Sequence, residues 1–199
     1  EYVGNLATSW EWIDDLTIEF KLREGVTFHN GEAFNADDVV YTVYFVANPE
    51  NGVKTQRNVN WMKSAEKIDD YTVRIHLHAA FPSAVEFLAG PVSIYPNEYY
   101  AEVGPSGMAL KPVGTGPYKV VDVEPGQHFV LERNEGYHDS PKGVASIKHV
   151  DIRTVRCVLW LCDGLNAGHS KEGKQVVGCA YARGDGGNVG TAQHGFKAC

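Results

Sequence analysis

The chain alternates most cleanly between residues 16 and 22, where LTIEFKL sets Leu16, Ile18, Phe20 and Leu22 on one side and Thr17, Glu19 and Lys21 on the other. A period of two over such a run predicts a half-buried strand with one solvent face. Trp10 and Trp12 mark an aromatic strand before it, and Asp14-Asp15 a turn between the two. The same writing returns downstream. AEKIDDYTVRIHL repeats WEWIDDLTIEFKL, with an IDD turn feeding an alternating strand whose Tyr71, Val73, Ile75 and Leu77 face inward and whose Thr72, Arg74, His76 and His78 face outward. Two strand-turn-strand units predict a sheet of several strands.

Between the two units the period changes. Glu24-Gly25 closes the first, and VTFH forms a short extended piece before Asn30-Gly31, a dipeptide that tolerates the positive φ of tight turns. Asn35 then reads as a helix N-cap. Asp38 stands three residues on, where a carboxylate meets free amides and the positive helix end. Phe34 and Val39 occupy the two positions of a hydrophobic staple. From Ala36 to Ala47, Val39, Val43 and Val46 form a stripe with Val40, Tyr44 and Ala47 beside it, which predicts a substantially buried helix ended by Pro49. Residues 48–64 read as a long loop with Trp61 and Met62 packing back.

Beyond the second unit, AAFPSAVEFLAG predicts a short helix started near Pro82-Ser83 and stopped at Gly90-Pro91. PVSIYP reads as extended, NEYYAEVG as a helical turn or two, and SGMALKPVGTG as loop. YKVVDVE and HFVLERN read as strands joined through Pro125-Gly126, with Phe129 and Leu131 alternating against Val130 and Glu132. SIKHVDIRTV adds a strand whose apolar face is Val150 and Ile152 and whose other face holds Ile147, His149 and Asp151. The fold class these elements predict is α/β in the mixed α+β sense: an antiparallel-rich mixed sheet with flanking helices.

Composition narrows the function classes. The chain has 199 residues, 43% of them apolar and 22% charged, which is ordinary for a folded domain. A formal charge of −7 argues against a nucleic-acid partner and against attachment to an anionic membrane surface. No apolar run reaches the length of a transmembrane helix, so no direct membrane insertion is expected. No signal-peptide pattern opens the chain at Glu1, which leaves the compartment open. Residue usage breaks near position 155. Residues 1–155 hold all nine Pro and none of the four Cys, with 13 basic against 22 acidic residues; residues 156–199 hold Cys157, Cys162, Cys179, Cys199 and nine Gly. The break marks either a domain boundary or a foreign or frame-shifted tail, and the Gly-rich run YARGDGGNVGTAQHG is expected to be poorly ordered.

Candidate chemistry is sparse. Asp37 and Asp38 are adjacent, so on a helix they point about 100° apart and fit the first turn better than an acid/base pair. His29 is expected in or beside its turn, satisfied locally or by water. His76 and His78 share one strand face, but Arg74 lies with them and no carboxylate within the strand completes a metal site. The four Cys, with His169 and His194 nearby, leave a metal site, disulfides or unpaired thiols open. Gly114-Thr115-Gly116 lacks the ending of a phosphate loop, and Pro117 removes an N–H from it, so it reads as a tight crossing where backbone bends or passes close to something else. GxSxG and HExxH are absent. No catalytic residue, metal site or cofactor is assigned, and the protein is not expected to be an enzyme.

Taken in order, SWEWIDDLTIEFKLREGVTFHNGEAFNADDVVYTV, IDDYTVRIHL, GTGPYKV, FVLERNEGYH and IKHVDIRTV resemble the family 5 extracytoplasmic solute-binding proteins, the peptide-, dipeptide-, opine- and nickel-binding components of ABC importers. Trp10, Glu11, Leu22, Arg23, Gly25, Val26, Phe28, His29, Gly31, Ala36, Asp38 and Val39 carry the first motif. The resemblance implies part of a two-lobed periplasmic binding protein type II fold: residues 1–155 as its N-terminal portion, with an extra domain over about 10–115 and a return into the first lobe over about 116–155. It implies a fragment that lacks the second lobe, with 156–199 as an atypical tail. It further implies a non-catalytic importer component in the periplasm or on the extracytoplasmic face of the cell membrane. Its partners would be a peptide or other small solute and an ABC permease. Gly114, Thr115 and Gly116 are the candidate ligand-binding residues. Three alternatives stand beside it: a structural or interaction module with no ligand of its own, a small metal-binding module, and a small hydrolase.

Overall fold

The computed structural model describes residues 2–154, apart from positions 91, 139, 141, 142 and 144. The tail cysteines, His169, His194 and the composition break at 156–199 lie outside the described residues. Two antiparallel sheets organise the rest. The first contains β1 (Ala7–Asp14), β2 (Thr17–Leu22), β3 (Met62–Asp69) and β4 (Thr72–Leu77) in the order β1-β2-β4-β3. The second contains β5 (Tyr118–Glu124), β6 (His128–Arg133) and β7 (His149–Arg153) in that order. Every strand pairing among the described residues is antiparallel.

The two IDD units are two hairpins whose second strands meet in the middle of the first sheet, related by an approximate two-fold axis. Glu19 and Arg74 hold the same place in the two repeats and face each other across β2 and β4, their side chains paired at 2.8 Å. The interactions around them come in matched pairs. Thr17 Oγ1 bonds His76 Nδ1 (3.3 Å), and Lys21 Nζ donates to Thr72 Oγ1 (3.1 Å). Leu22 N–H donates to Tyr71 O, and Leu77 N–H to Leu16 O, both at 2.8 Å. At the hairpin tips the Asp14 and Asp69 carboxylates accept from the N–H groups of Leu16 and Tyr71. The sequence echo is therefore a structural duplication.

Central placement corrects the reading of β2. Ile18, Phe20 and Leu22 are buried as the alternation predicts, yet Thr17, Glu19 and Thr72 on the outward face are buried too. The outer face of these central strands is covered by long side chains, Arg74 of β4 reaching over Glu19 and Lys21 of β2 reaching to Glu19 and to Thr72 of β4. Leu16 is 43% exposed because it belongs to the hairpin tip, one residue before the ladder.

Helix α1 spans Ala36–Ala47 and packs on the inner face of this sheet. Asn35 Oδ1 accepts from Asp37 N–H at 2.7 Å, and Asp38 Oδ2 accepts from Asn35 N–H at 2.9 Å, completing a capping box. Phe34, Val39, Val43 and Val46 enter the core. The helix is less apolar in its setting than its composition implies: Tyr44 is 71% exposed, while Thr42 is fully buried with its hydroxyl accepting from Tyr95 N–H. Trp61 and Met62 pack back into the core as expected.

Helix α2 (Ala84–Ala89) matches its sequence signals, whereas α3 (Asn97–Leu110) runs further than NEYYAEVG predicts. Residues 106–110, expected as loop, are helical. Gly104 takes φ 62° and breaks the axis, and Pro105 opens a second helical segment behind it. Residues 92–95 form no strand. In the second sheet the register sets Phe129 opposite Ile152 and Leu131 opposite Val150, but burial does not follow the expected apolar face. No strand residue is buried, Phe129 (43%) and Ile152 (36%) are exposed, and Asp151 is more covered than Ile152.

Candidate functional site

A cavity of about 570 Å³ opens against the inner face of the first sheet. Its floor includes Trp10 and Phe20, one wall comes from Leu88 and Ile94, and Gly114, Thr115 and Gly116 close another side. Among the described residues no Asp, Glu, Lys, Arg or His lines it. Its chemistry is that of apolar side chains edged by backbone amides and by the uncharged polar side chains of Tyr2, Asn5, Ser93 and Thr115, a lining suited to holding a neutral or apolar portion of a molecule and not to ionising one.

The Gly114–Gly116 loop owes its position to His29. The turn carrying His29 is locked by Phe28 N–H to Glu32 O (2.8 Å) and Gly31 N–H to Phe28 O (2.9 Å), with Gly31 at φ 92°. Phe28 is buried in the core, so the base of the imidazole is held. From there the ring spans the loop: Gly114 N–H donates to Nδ1 (3.3 Å), and Nε2–H donates to Gly116 O (2.9 Å). The His29 main-chain N–H adds a bond to Gly114 O at 2.9 Å. A backbone N–H only donates and a carbonyl only accepts, so this geometry requires the neutral Nε2–H tautomer. His29 is thus satisfied by a loop distant in sequence, and not within its own turn or by water alone.

The loop is the close crossing that its glycines predict, but not for want of space. Neither glycine has positive φ, and a Cβ on Gly114 would sit 3.9 Å from the His29 ring, an ordinary contact. Asn134, inside the FVLERNEGYH segment, was not singled out by sequence reasoning. Its side chain donates to Gly116 O (3.3 Å) and its N–H to Pro117 O (2.9 Å). Nothing in its local sequence marks it for this role.

The remaining candidates do not converge on the cavity. Asp37 pairs with Lys67 at 2.8 Å on the surface, which holds the Lys67 ammonium protonated to higher pH than usual. Asp38 is buried and joins two elements, since its second oxygen accepts from Asn97 N–H at the start of α3 (2.9 Å). Burial raises the pKa of its carboxyl, against the lowering effect of the Asn97 and Asn35 amides. His76 lies beside Thr17 and Glu66, and His78 is exposed. Among the described residues no group of three or more His, Cys, Asp or Glu side chains is arranged to hold a metal ion.

Comparison with known proteins agrees with this architecture. The sequence model described as "Bacterial extracellular solute-binding proteins, family 5 Middle" matches residues 1–156. The glutathione-binding protein GsiB of Pectobacterium atrosepticum is 35% identical over 141 residues, covering 68% of this chain and 26% of that protein. The heme-binding protein A of Haemophilus influenzae is 34% identical over 155 residues, covering 66% and 28%. Among solved structures, NikZ from Campylobacter jejuni in complex with Ni(L-His) superposes with a TM-score of 0.68 at 27% identity, over 76% of this chain and 30% of that one. The oligopeptide-binding protein AppA from Bacillus subtilis, in complex with a nonapeptide, gives 0.65 at 28% identity, over 76% and 31%. The chain spans about a quarter of the length of the curated relatives it matches.

Proposed function

This chain belongs to the bacterial extracellular solute-binding proteins of family 5, and on that premise we propose that it serves as the solute-capturing part of an ABC importer for peptides or related small solutes. The family places it in the periplasm or on the extracytoplasmic face of the cell membrane. It works by binding and release, with an ABC permease as its partner. In this reading the first sheet with its helices is the extra domain, and the second sheet is the return into a first lobe.

The observation that carries the reading is the family match over residues 1–156, in a chain that also superposes on solute-bound relatives. The cavity beside Gly114, Thr115 and Gly116 supports the location. Its uncharged lining fits a peptide side chain or a neutral part of a small solute; charged termini would be held by groups outside it. Calorimetric titration of the 199-residue chain with glutathione, a dipeptide and a nonapeptide is expected to show saturable binding of one class. A Thr115→Val variant is expected to weaken it by roughly tenfold, the cost of leaving one polar group unpaired. Absence of saturable heat with every probe would overturn solute capture by this chain.

A second reading is favoured by one feature. The apolar side of the second sheet leaves Phe129 and Ile152 open to solvent, as in a module that supports a cleft through contacts with other protein surface. On that reading the chain gives no heat with any of these probes and still folds.

A further inference from the structure

We propose that His29 is a positioning residue for the solute-facing loop: its neutral imidazole acts as a strut that engages the outer polar groups of Gly114-Thr115-Gly116 and leaves Thr115 as the loop's unengaged recognition element. The inference rests on the reading above, in which this loop borders the solute.

The hydrogen-bond inventory carries it. Gly114 spends its N–H on His29 Nδ1 and its carbonyl on the His29 N–H. Gly116 spends its carbonyl on His29 Nε2–H and on the Asn134 amide. Among the described residues, the Thr115 N–H, carbonyl and hydroxyl and the Gly116 N–H make no hydrogen bond, and both residues line the cavity. Polar backbone groups beside an apolar cavity are costly unless they meet water or a ligand, so these are the groups that a polar solute atom would satisfy. An imidazole suits the task because it is rigid and carries a donor and an acceptor at a fixed separation. An unbraced three-residue segment with two glycines would sample many conformations and lose affinity on ordering them.

The two ring atoms make separable predictions. An Asn side chain offers an acceptor near the Nδ1 position, and a Gln side chain reaches a donor toward the Nε2 position. In the full chain, nitrogen-15 spectra of the wild-type ring at neutral pH are expected to show the Nε2–H tautomer. Amide hydrogen exchange at Gly114 is expected to quicken about tenfold in His29→Ala and His29→Gln but little in His29→Asn, with the strand amides of residues 18 and 73 unchanged in all three. A uniform rise in exchange across the chain, or the Nδ1–H tautomer in the wild type, would overturn the strut. These readouts need no solute. A chain that binds none of the probes but shows this pattern would sink the functional reading alone, and the reverse result would sink the strut alone.

Discussion

At the scale of single residues, Asp38 does the most with one side chain. Its two carboxylate oxygens accept from the backbone N–H of Asn35 and of Asn97, so one buried group caps α1 and fixes the start of α3. Asp38→Asn keeps the shape but turns an NH₂ toward one of those N–H donors. The expected cost is about 1–3 kcal/mol, since one buried amide is left unpaired. The pH dependence has a definite sign. Burial raises the folded-state pKa of Asp38 above its ordinary value, so its contribution to stability is full below that ordinary value. As pH rises from there to the raised folded value, the unfolded chain ionises first and that contribution is lost. The asparagine variant has no such titration. Urea unfolding of both proteins should therefore show their stability gap shrinking as pH rises through this window. A gap that widens would refute the assignment.

At the scale of elements, the duplicated hairpin offers a test that does not depend on any ligand. Glu19 and Arg74 occupy equivalent positions astride the approximate two-fold, so exchanging them preserves the geometry of the pair. Glu19→Arg alone places two guanidinium groups together beside Lys21 and is expected to lower the melting temperature. Adding Arg74→Glu is expected to recover part of the loss. Recovery stays incomplete because Lys21 now faces an arginine and Glu66 a glutamate. Thermal unfolding of the two singles and the double reads the coupling, and additive effects would deny it. The hairpins were legible in sequence because alternation and the IDD turns are local signals. So was α1, whose Asn35 cap, Phe34/Val39 staple and Pro49 stop all lie within one short stretch. What local signals missed has a local cause in α3: Gly104-Pro105 does interrupt the helix, but proline is also a favoured first helical residue, so 106–110 continue it. The site was legible only in halves. His29 and Gly114–Gly116 each stand out in the sequence, but nothing in it shows that the imidazole spans that loop, and Asn134 carries no signal of its own.

For the whole molecule, the two sheets differ in what holds them. The first shares a core with α1 in which Ile18, Val73 and Ile75 are at most 2% exposed. The second pairs its strands in register, yet none of its strand residues is buried. Its ties to the first sheet's surroundings include the His29 bonds to Gly114 and Gly116 and a His138–Asn5 contact of 2.9 Å. Backbone ladders without apolar burial open at low free-energy cost, because each hydrogen bond lost to the partner strand is regained from water. The most protected amides of β6 are therefore expected to exchange at least about tenfold faster than the most protected amides of β2 and β4. Equal protection would mean that the sheets unfold as one unit and that the exposed Phe129 and Ile152 surface costs nothing. The same measurement bears on capture. Since Gly116 and Asn134 join the cavity-lining loop to the ends of β5 and β6, a solute that orders Thr115 should slow exchange in β6 as well as in β2 and β4, whose Phe20, Leu22, Val73 and Ile75 line the same cavity. Slowing confined to β2 and β4 would instead mean that the solute rests on the first sheet without engaging the loop.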